Sequence, residues 1–201
     1  MRRRLVLTAS AGACLLAACG KESSSGGGSS SASGGGGKPA SQPVSIEAIE
    51  QKAKGFNVGS TMAQRVVYVF FDPQCPHCAA LWENVKPLKS QARFVWIPVG
   101  LIGEKSISQG AAILGAPDPV TKMEENESSV RGQQGGISAM GVEDAQKESV
   151  KANTALFTSF GFSGVPTFVG KHAQTGGVVT IDGAVPAITL AQKLGLSAPG
   201  G

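Results

Sequence analysis

The chain has 201 residues, of which 41% are hydrophobic and 16% charged, enough for one globular core of ordinary size. Its formal net charge of +4 comes mostly from the start of the chain, since 15 basic and 14 acidic residues remain without Arg2, Arg3 and Arg4. No Lys/Arg cluster is then left, which argues against nucleic acid as a partner.

The first 18 residues have the three parts of a secretory signal. Three arginines are followed by an apolar stretch from Leu5 and then by small residues. The apolar stretch is too short to span a bilayer comfortably as a permanent helix. We therefore predict a signal peptide over residues 1–18 and export to the periplasm.

The end of this signal, Leu16-Ala17-Ala18-Cys19, resembles the lipobox of bacterial lipoproteins. The resemblance implies that Cys19 is diacylated, becomes the first mature residue and holds the protein on a lipid membrane. Gly20 stands where an Asp would suggest retention at the inner membrane, which favours the outer membrane. Residues 19–43 are mostly Gly, Ser, Ala and Pro, a composition that predicts a flexible tether.

Of the four cysteines, only two are expected to remain as thiols in the mature protein. Cys14 leaves with the signal and Cys19 is lipidated, so Cys75 and Cys78 remain. A disulfide-stapled exported scaffold carries several spaced cysteines, whereas this chain has one close pair.

An alternation of helices and strands begins after the tether. Ser45 is the predicted N-cap of a helix whose apolar residues Ile46, Ile49, Ala53 and Phe56 recur at helical steps. Residues 66–71 form an apolar run typical of a buried strand, which Asp72-Pro73 ends. A helix is expected from about residue 75, kinked near its end by Pro87, with an apolar face of Cys78, Leu81, Trp82, Val85 and Leu88. Residues 93–100 predict a second strand, parallel to the first through a right-handed crossover.

The second half of the chain predicts a helical insertion and then a closing hairpin. Helical patterns over residues 104–114, 118–128 and 142–160, with a Gly-rich loop at 131–136, indicate an insertion at about 104–150. The segments "VPTFVG" and "VVTIDG" predict a β-hairpin, and residues 186–194 a last helix with Gly195 as its C-cap. The folded domain is thus expected over residues 44–197, with a short tail at 198–201.

The motif Cys-Pro-His-Cys at residues 75–78 carries the chemistry. A cysteine at a helix N-terminus faces unpaired N–H groups and the helix dipole, which favour its thiolate, and His77 can tune it further. A stabilised thiolate makes the disulfide oxidising. Cys75 is predicted to attack and Cys78, one turn on, to resolve the mixed disulfide. An inert crosslink closes too small a loop to restrain much, and a zinc site lacks ligands beyond His77 and the distant His172.

Two separate points, the CxxC after the first strand and a proline opening a later strand in "SGVPTFV", resemble the thioredoxin superfamily. The resemblance implies an α/β thioredoxin fold, a central mixed sheet flanked by helices. It also implies a substrate-binding segment in which Pro166 is cis, the Val165 backbone faces an extended substrate and Thr167 starts the strand. The stretches "VYVFFDPQCPHC", "IPVGLIGEKSISQGAAIL" and "NTALFTSFGFSGVPTFV" are similar to the catalytic domain of the periplasmic DsbG/DsbC group.

Two departures from that group bear on mechanism. Only the tether and a short helix precede the first strand, so we expect no N-terminal dimerisation domain and a monomer. Val165 replaces the usual Thr, and with Pro76-His77 this resembles the DsbA oxidases, although Val69 stands where those proteins have a buried Glu. The direction of exchange is therefore left open between a DsbA-like dithiol oxidase and a DsbG-like isomerase or reductase.

The resemblance implies a thiol–disulfide oxidoreductase that acts on exported proteins with thiols or disulfides and exchanges electrons with a membrane partner of the Dsb type. Its redox group is the Cys75–Cys78 disulfide itself, with no cofactor and no metal. Three alternatives rank lower: a reductant for cytochrome maturation, where Gln74 is usually Trp; a copper-binding thioredoxin-fold lipoprotein, which typically spaces its cysteines by three residues; and a binding or scaffold module, which needs no CxxC.

Overall fold

The computed structural model describes residues 41–199. The predicted signal peptide, the lipidation site Cys19, the tether up to residue 40 and residues 200–201 lie outside the described residues. Within residues 41–199, none of the helices has the length and apolar character needed to cross a membrane.

A five-stranded mixed sheet forms the centre of the described part of the chain. Its strands are β1 (Phe56–Gly59), β2 (Val66–Phe71), β3 (Arg93–Pro98), β4 (Thr167–Lys171) and β5 (Val178–Asp182), in the order β1-β3-β2-β4-β5. β2 and β3 pair in parallel from Val66↔Arg93 to Phe71↔Pro98, and the other neighbours pair antiparallel. The predicted βαβ unit and the predicted closing hairpin are both confirmed.

The helices are α1 (Ile46–Lys52), α2 (Pro76–Val85), α3 (Glu104–Leu114), α4 (Pro119–Arg131), α5 (Asp144–Ser159) and α6 (Ala187–Leu194). A 3₁₀ turn, Lys86–Leu88, follows α2 and contains Pro87, so the expected kink is a change of helix type. α4 runs to Arg131, beyond the predicted end at residue 128. Gly195 ends α6 in the left-handed conformation at φ 67°, as the C-cap prediction requires.

The sheet separates two apolar clusters, as expected for helices on both faces of a sheet. Along β2, Val67, Val69 and Phe71 pack in the cluster that contains α2, α4 and α6. Tyr68 and Phe70 point to the other side, into the cluster that contains α1 and α5. This alternation follows from the two-residue period of a strand. The mixed α/β thioredoxin fold predicted from the sequence is confirmed.

Phe56 is the residue whose predicted environment is wrong. The helical spacing assigned it to the first helix, but α1 ends at Lys52 and Phe56 opens the edge strand β1, opposite Trp96 of β3. Its ring packs edge-on against Phe71 with 6.3 Å between centroids. A Cβ on Gly55 would lie 2.5 Å from the Trp96 carbonyl oxygen, so glycine permits this close approach. Long-range strand pairing therefore overrides the local helical period.

Candidate active site

The turn between β2 and α2 is held by Asp72, whose side chain is fully buried. One carboxylate oxygen accepts from the Gln74 N–H at 2.8 Å. The other accepts from the N–H groups of Leu101 at 2.7 Å and Ile102 at 3.0 Å, in the loop after β3. Asp72 thereby makes the turn that ends β2 and also ties it to the neighbouring strand end. Because Cys75 follows this turn directly, the turn fixes its position in the structure.

Cys75 is the N-cap of α2, with Pro76 in the first helical position. Its Sγ accepts from the Cys78 N–H at 3.4 Å. The pKa of Cys75 is lowered to about 6, first by a hydrogen bond with the Cys78 side chain, while burial opposes this shift. Backbone hydrogen bonds from Cys78 and His77 and the electrostatic effect of His77 lower the pKa further. The helix start therefore stabilises the thiolate, the form that attacks disulfides.

Cys78 lies one turn into the helix and has the opposite environment. Its side chain is 0% exposed, against 6% for Cys75, and both are free thiols in this structure. Burial, first of all, raises the pKa of Cys78 well above its ordinary value, and the neighbouring Cys75 adds to this. The buried Cys78 sulfur is hard to ionise, whereas the Cys75 sulfur ionises easily. Cys75 is therefore the nucleophile of the pair, and Cys78 is the partner shielded from solvent.

The loop before β4 lies against Cys75. The Val165–Pro166 peptide bond is cis, and the Val165 carbonyl oxygen is 3.8 Å from the Cys75 Sγ. Val165 is half-buried and Pro166 buried. The Thr167 side chain is fully buried and donates to the Gly164 carbonyl at 2.6 Å, so it turns into the protein. Its predicted part in substrate binding stays a prediction.

The helical insertion reaches the active-site turn through a network of side-chain amides. Gln74 donates to the Gln109 side-chain oxygen and, at 2.9 Å, to the Gly135 carbonyl. Gln109 in turn donates to the carbonyls of Gly135 at 3.0 Å and Ile137 at 2.8 Å. The residue directly before Cys75 is thus joined to α3 and to the Gly-rich loop after α4.

A buried carboxyl group, Glu127 on α4, is the part of the site that sequence reasoning missed. It is 0% exposed, and its Oε1 accepts from Asn126 at 3.2 Å. Burial raises the pKa of Glu127 to about 8, and the charge of Cys75 adds to this while Arg131 opposes it. The signal in the sequence is its position: with Val120, Met123 and Val130 it forms the inward stripe of α4.

Among residues 41–199 no group of three or more His, Cys, Asp and Glu side chains is arranged to hold a metal ion. His172 lies directly after β4, at the strand end opposite Pro166, and its Nδ1 accepts from the Gln174 N–H at 3.3 Å. It takes part in the hairpin turn between β4 and β5.

Comparison with known proteins identifies the family. The model of the thioredoxin-like domain matches residues 57–197, more than half of the chain. The chain belongs to the thioredoxin-like family. It is 31% identical over 142 residues to the thiol:disulfide interchange protein DsbG of Pseudomonas aeruginosa, covering 68% of this chain and 54% of that protein. The chain therefore spans about half the length of this relative.

Solved structures agree with this thioredoxin-like fold. The catalytic domain of Proteus mirabilis ScsC is 20% identical and superposes with a TM-score of 0.56, covering 74% of this chain and 92% of that one. A periplasmic thioredoxin-like protein of Salmonella enterica serovar Typhimurium is 18% identical, with a TM-score of 0.59 and coverage of 77% and 97%.

The thioredoxin-like fold of this chain brings most of the predicted site residues together. Cys75 and Cys78 share the first turn of α2, and Val165 of the loop before β4 contacts Cys75. Pro76 and His77 are exposed between the cysteines. Cys19 lies outside the described residues.

Proposed function

We propose that this chain is a thiol–disulfide oxidoreductase of the Dsb type that exchanges disulfides with exported proteins through Cys75. The observation that supports this most directly is the opposite environment of the two sulfurs. Cys75 caps α2 with its pKa lowered to about 6, whereas burial raises that of Cys78. At neutral pH the Cys75 sulfur, the less buried of the two, is mostly thiolate, and the Cys78 sulfur is a thiol.

The exchange is reversible: the reduced protein can reduce a substrate disulfide, and the oxidised protein can oxidise a substrate dithiol. In the reduced protein, the Cys75 thiolate attacks a substrate disulfide, one substrate thiolate leaves, and a mixed disulfide forms. Cys78 then attacks Cys75, the mixed disulfide breaks, and the second substrate sulfur leaves reduced. In the oxidised protein, a substrate thiolate attacks Cys75, Cys78 leaves, and a second substrate thiolate takes the disulfide away.

We propose that the favoured direction is donation of the disulfide to substrate. A stabilised Cys75 thiolate favours the reduced pair, which makes the Cys75–Cys78 disulfide an oxidant. His77, exposed beside Cys75, contributes to this stabilisation. The similarity to DsbG supports the alternative of isomerisation or reduction, which the reduction potential distinguishes.

The test is the redox equilibrium of a chain whose only thiols are Cys75 and Cys78, obtained by the changes Cys14→Ser and Cys19→Ser and named here the two-thiol chain. After equilibration in glutathione buffers, the oxidised fraction is counted by alkylation and mass spectrometry. A potential well above that of glutathione is expected for an oxidant, and one near or below it indicates reduction or isomerisation.

Trapping of mixed disulfides distinguishes the roles of the two cysteines. Cys78→Ala in the two-thiol chain is expected to accumulate mixed disulfides with substrate proteins, because Cys75 still attacks and nothing resolves the product. Cys75→Ala is the matched control and is expected to trap little, since Cys78 is fully buried. If neither variant nor the parent undergoes thiol exchange, the proposed enzyme activity is wrong.

We also propose that Cys19 carries the lipid that anchors this activity on the periplasmic side of a membrane. The lipobox-like sequence before it supports this. Cys19→Ser is expected to move the protein from the detergent phase to the aqueous phase, and mass spectrometry of the N-terminal peptide is expected to find the acyl chains. An unmodified Cys19 in membrane-extracted protein would contradict the proposal, and fractionation of the two membranes tests which one holds it.

A further inference from the structure

The Glu127 carboxyl is a buried titratable group that the exchange steps above leave unused. Its side chain is 0% exposed, and within the described part of the chain no group donates a hydrogen bond to its Oε2. Its other oxygen has one donor, Asn126. An incompletely satisfied buried carboxylate is costly, so its presence beside a reactive site indicates a role there.

Side-chain contacts hold this turn of α4 against the active-site turn. Asn126 donates to the Pro73 carbonyl at 2.9 Å, two residues before Cys75, and its own oxygen accepts from the Ile137 N–H at 3.1 Å. On either side of Glu127, α4 is joined to α2. Trp82 donates to Glu124, and Arg131 pairs with Glu83 at 3.1 Å. Glu127 therefore lies on the inward face of a helix fixed along the cysteine-bearing helix.

The chemistry requires a proton acceptor at this depth. Cys78 must become a thiolate to attack the mixed disulfide, yet it is fully buried and its raised pKa keeps it a thiol at neutral pH, where water is a weak proton acceptor. A positioned carboxylate takes such a proton far more easily than an apolar core does. The titratable groups whose charge acts on Glu127 are Cys75 at the start of α2, Arg131 from its own helix and Asp72 directly after β2, and the charge of Glu127 acts in turn on Cys78.

We propose that Glu127 is the internal proton acceptor for Cys78 when the mixed disulfide is resolved, and its proton donor in the reverse reaction. This inference rests on the proposed function. In resolution, the Cys78 thiol gives up its proton to the Glu127 carboxylate, through one water where the two groups are beyond hydrogen-bond distance, and the Cys78 thiolate attacks the Cys75 Sγ. The Cys75–Cys78 bond forms, the bond between Cys75 and the substrate breaks, and the substrate sulfur leaves as a thiolate. In reverse, Cys78 leaves as a thiolate and takes the proton back.

The electrostatics of the site fit this transfer. The negative charge of Cys75 raises the pKa of Glu127, and the charge of Glu127 raises that of Cys78. When Cys75 is held in a mixed disulfide its charge is gone, so Glu127 ionises more readily and is ready to accept a proton. When Cys75 is released as a thiolate, Glu127 holds its proton more tightly. Burial remains the main cause of the raised pKa of Glu127, and the redox state of Cys75 shifts that pKa further.

The experiment follows the two chemical steps separately. The reduced two-thiol chain is mixed with excess glutathione disulfide, quenched with acid at intervals, and analysed by mass spectrometry between pH 5.5 and 10. The glutathione adduct on Cys75 measures the first step, and its conversion to the Cys75–Cys78 disulfide measures resolution. Glu127→Gln keeps the side-chain shape without the titration, and Glu125→Gln is the matched control because Glu125 is exposed on the same helix.

Glu127→Gln is expected to slow resolution about tenfold or more at pH 7, since general bases contribute effects of at least this size. Adduct formation is expected to change little, because Cys75 is already a thiolate. The deficit should vanish near pH 10, where hydroxide replaces the lost acceptor, and a displaced Cys78 would not regain its rate in this way. Glu125→Gln should behave as the parent.

Three results would overturn the proposal: unchanged resolution in Glu127→Gln at every pH, equal slowing in Glu125→Gln, or a deficit that persists at pH 10. Carboxyl NMR of the unmodified side chain gives a second reading, in which a glutamate titrating near pH 8 in the reduced protein is expected to be missing from Glu127→Gln. If no carboxyl titrates above neutral pH, the proposal is wrong. If the parent itself forms no adduct and no disulfide, the proposed function has failed instead.

Discussion

The reduction potential of the Cys75–Cys78 pair is expected to depend on pH with a break near pH 6. Below the break, two protons accompany the two electrons and the potential falls about 59 mV per pH unit; above it, Cys75 is a thiolate, one proton suffices, and the fall is about 30 mV. The sign follows from the lowered pKa of Cys75, because the reduced protein gains stability as pH rises through about 6 and loses it as pH falls again.

The size of the effect follows from the same shift. Lowering the pKa of Cys75 from 9.0 to about 6 stabilises the reduced protein at pH 7 by about 1.4 kcal/mol. For a two-electron couple this raises the potential at pH 7 by about 30 mV relative to the same pair without the shift. Above the ordinary pKa of 9.0 the whole shift of about 4 kcal/mol acts, and the potential is raised by about 90 mV. The helix start thus supplies a measurable part of the oxidising power.

The assay is equilibration of the two-thiol chain with glutathione at half-unit steps from pH 4.5 to 8, with the oxidised fraction counted by alkylation. Thiolate absorbance of the reduced protein over the same range should rise at the same pH as the break. Cys75→Ala is the control and should have no such rise, because the pKa of Cys78 lies well above this range. A potential that falls about 59 mV per pH unit all the way to pH 8 would refute the reasoning.

Three further outcomes are expected. Cys78→Ala should raise the pKa of Cys75 more than His77→Ala does, because the hydrogen bond with the Cys78 side chain is the first cause of the lowered pKa and His77 the last; thiolate absorbance measures both. Asp72→Ala should lower the free energy of unfolding in urea by about 3 kcal/mol, since three N–H groups lose a charged acceptor. Glu127→Gln should raise that free energy at pH 8 and leave it nearly unchanged at pH 4, because the raised pKa makes wild-type stability fall between pH 4.5 and about 8. Equal stability of the two proteins at pH 8 would contradict a buried carboxyl that lacks a full set of donors.

The elements that the sequence predicts well are those whose signal is local. β2 is a continuous apolar run, α2 begins at a cysteine followed by proline, and Gly195 ends α6 where a left-handed residue is needed. β1 was missed because its four residues are too few for a strand pattern, and their pairing with β3 joins positions about 40 residues apart, beyond any local window. The fold class survives this error because the central βαβ unit fixes it.

The candidate site likewise contains residues that the local sequence predicts and one residue that it does not. Cys75 and Cys78 are found from spacing and helix position alone, since their chemistry depends on the first turn of one helix. Glu127 depends on how α4 packs along α2, which requires the contacts of Asn126 with Pro73 and of Arg131 with Glu83. The only local indication of this buried carboxyl is a glutamate on the apolar stripe of a helix. That pattern does not predict which groups surround the carboxyl.

The insertion helix α4 therefore links stability and exchange chemistry through one side chain. Its outer residues Glu124 and Arg131 form ion pairs with the 3₁₀ turn after α2 and with α2 itself, which are partly exposed and contribute little each. Its inner residue Glu127 costs stability wherever it is ionised, because it lacks a full set of donors. A glutamine at this position would avoid that cost with the same shape, but it would leave Cys78 without an acceptor for its proton. Loss of resolution in the more stable variant at pH 7 would tie both effects to the same carboxyl, whereas a more stable variant with unchanged resolution would make Glu127 only a destabilising residue.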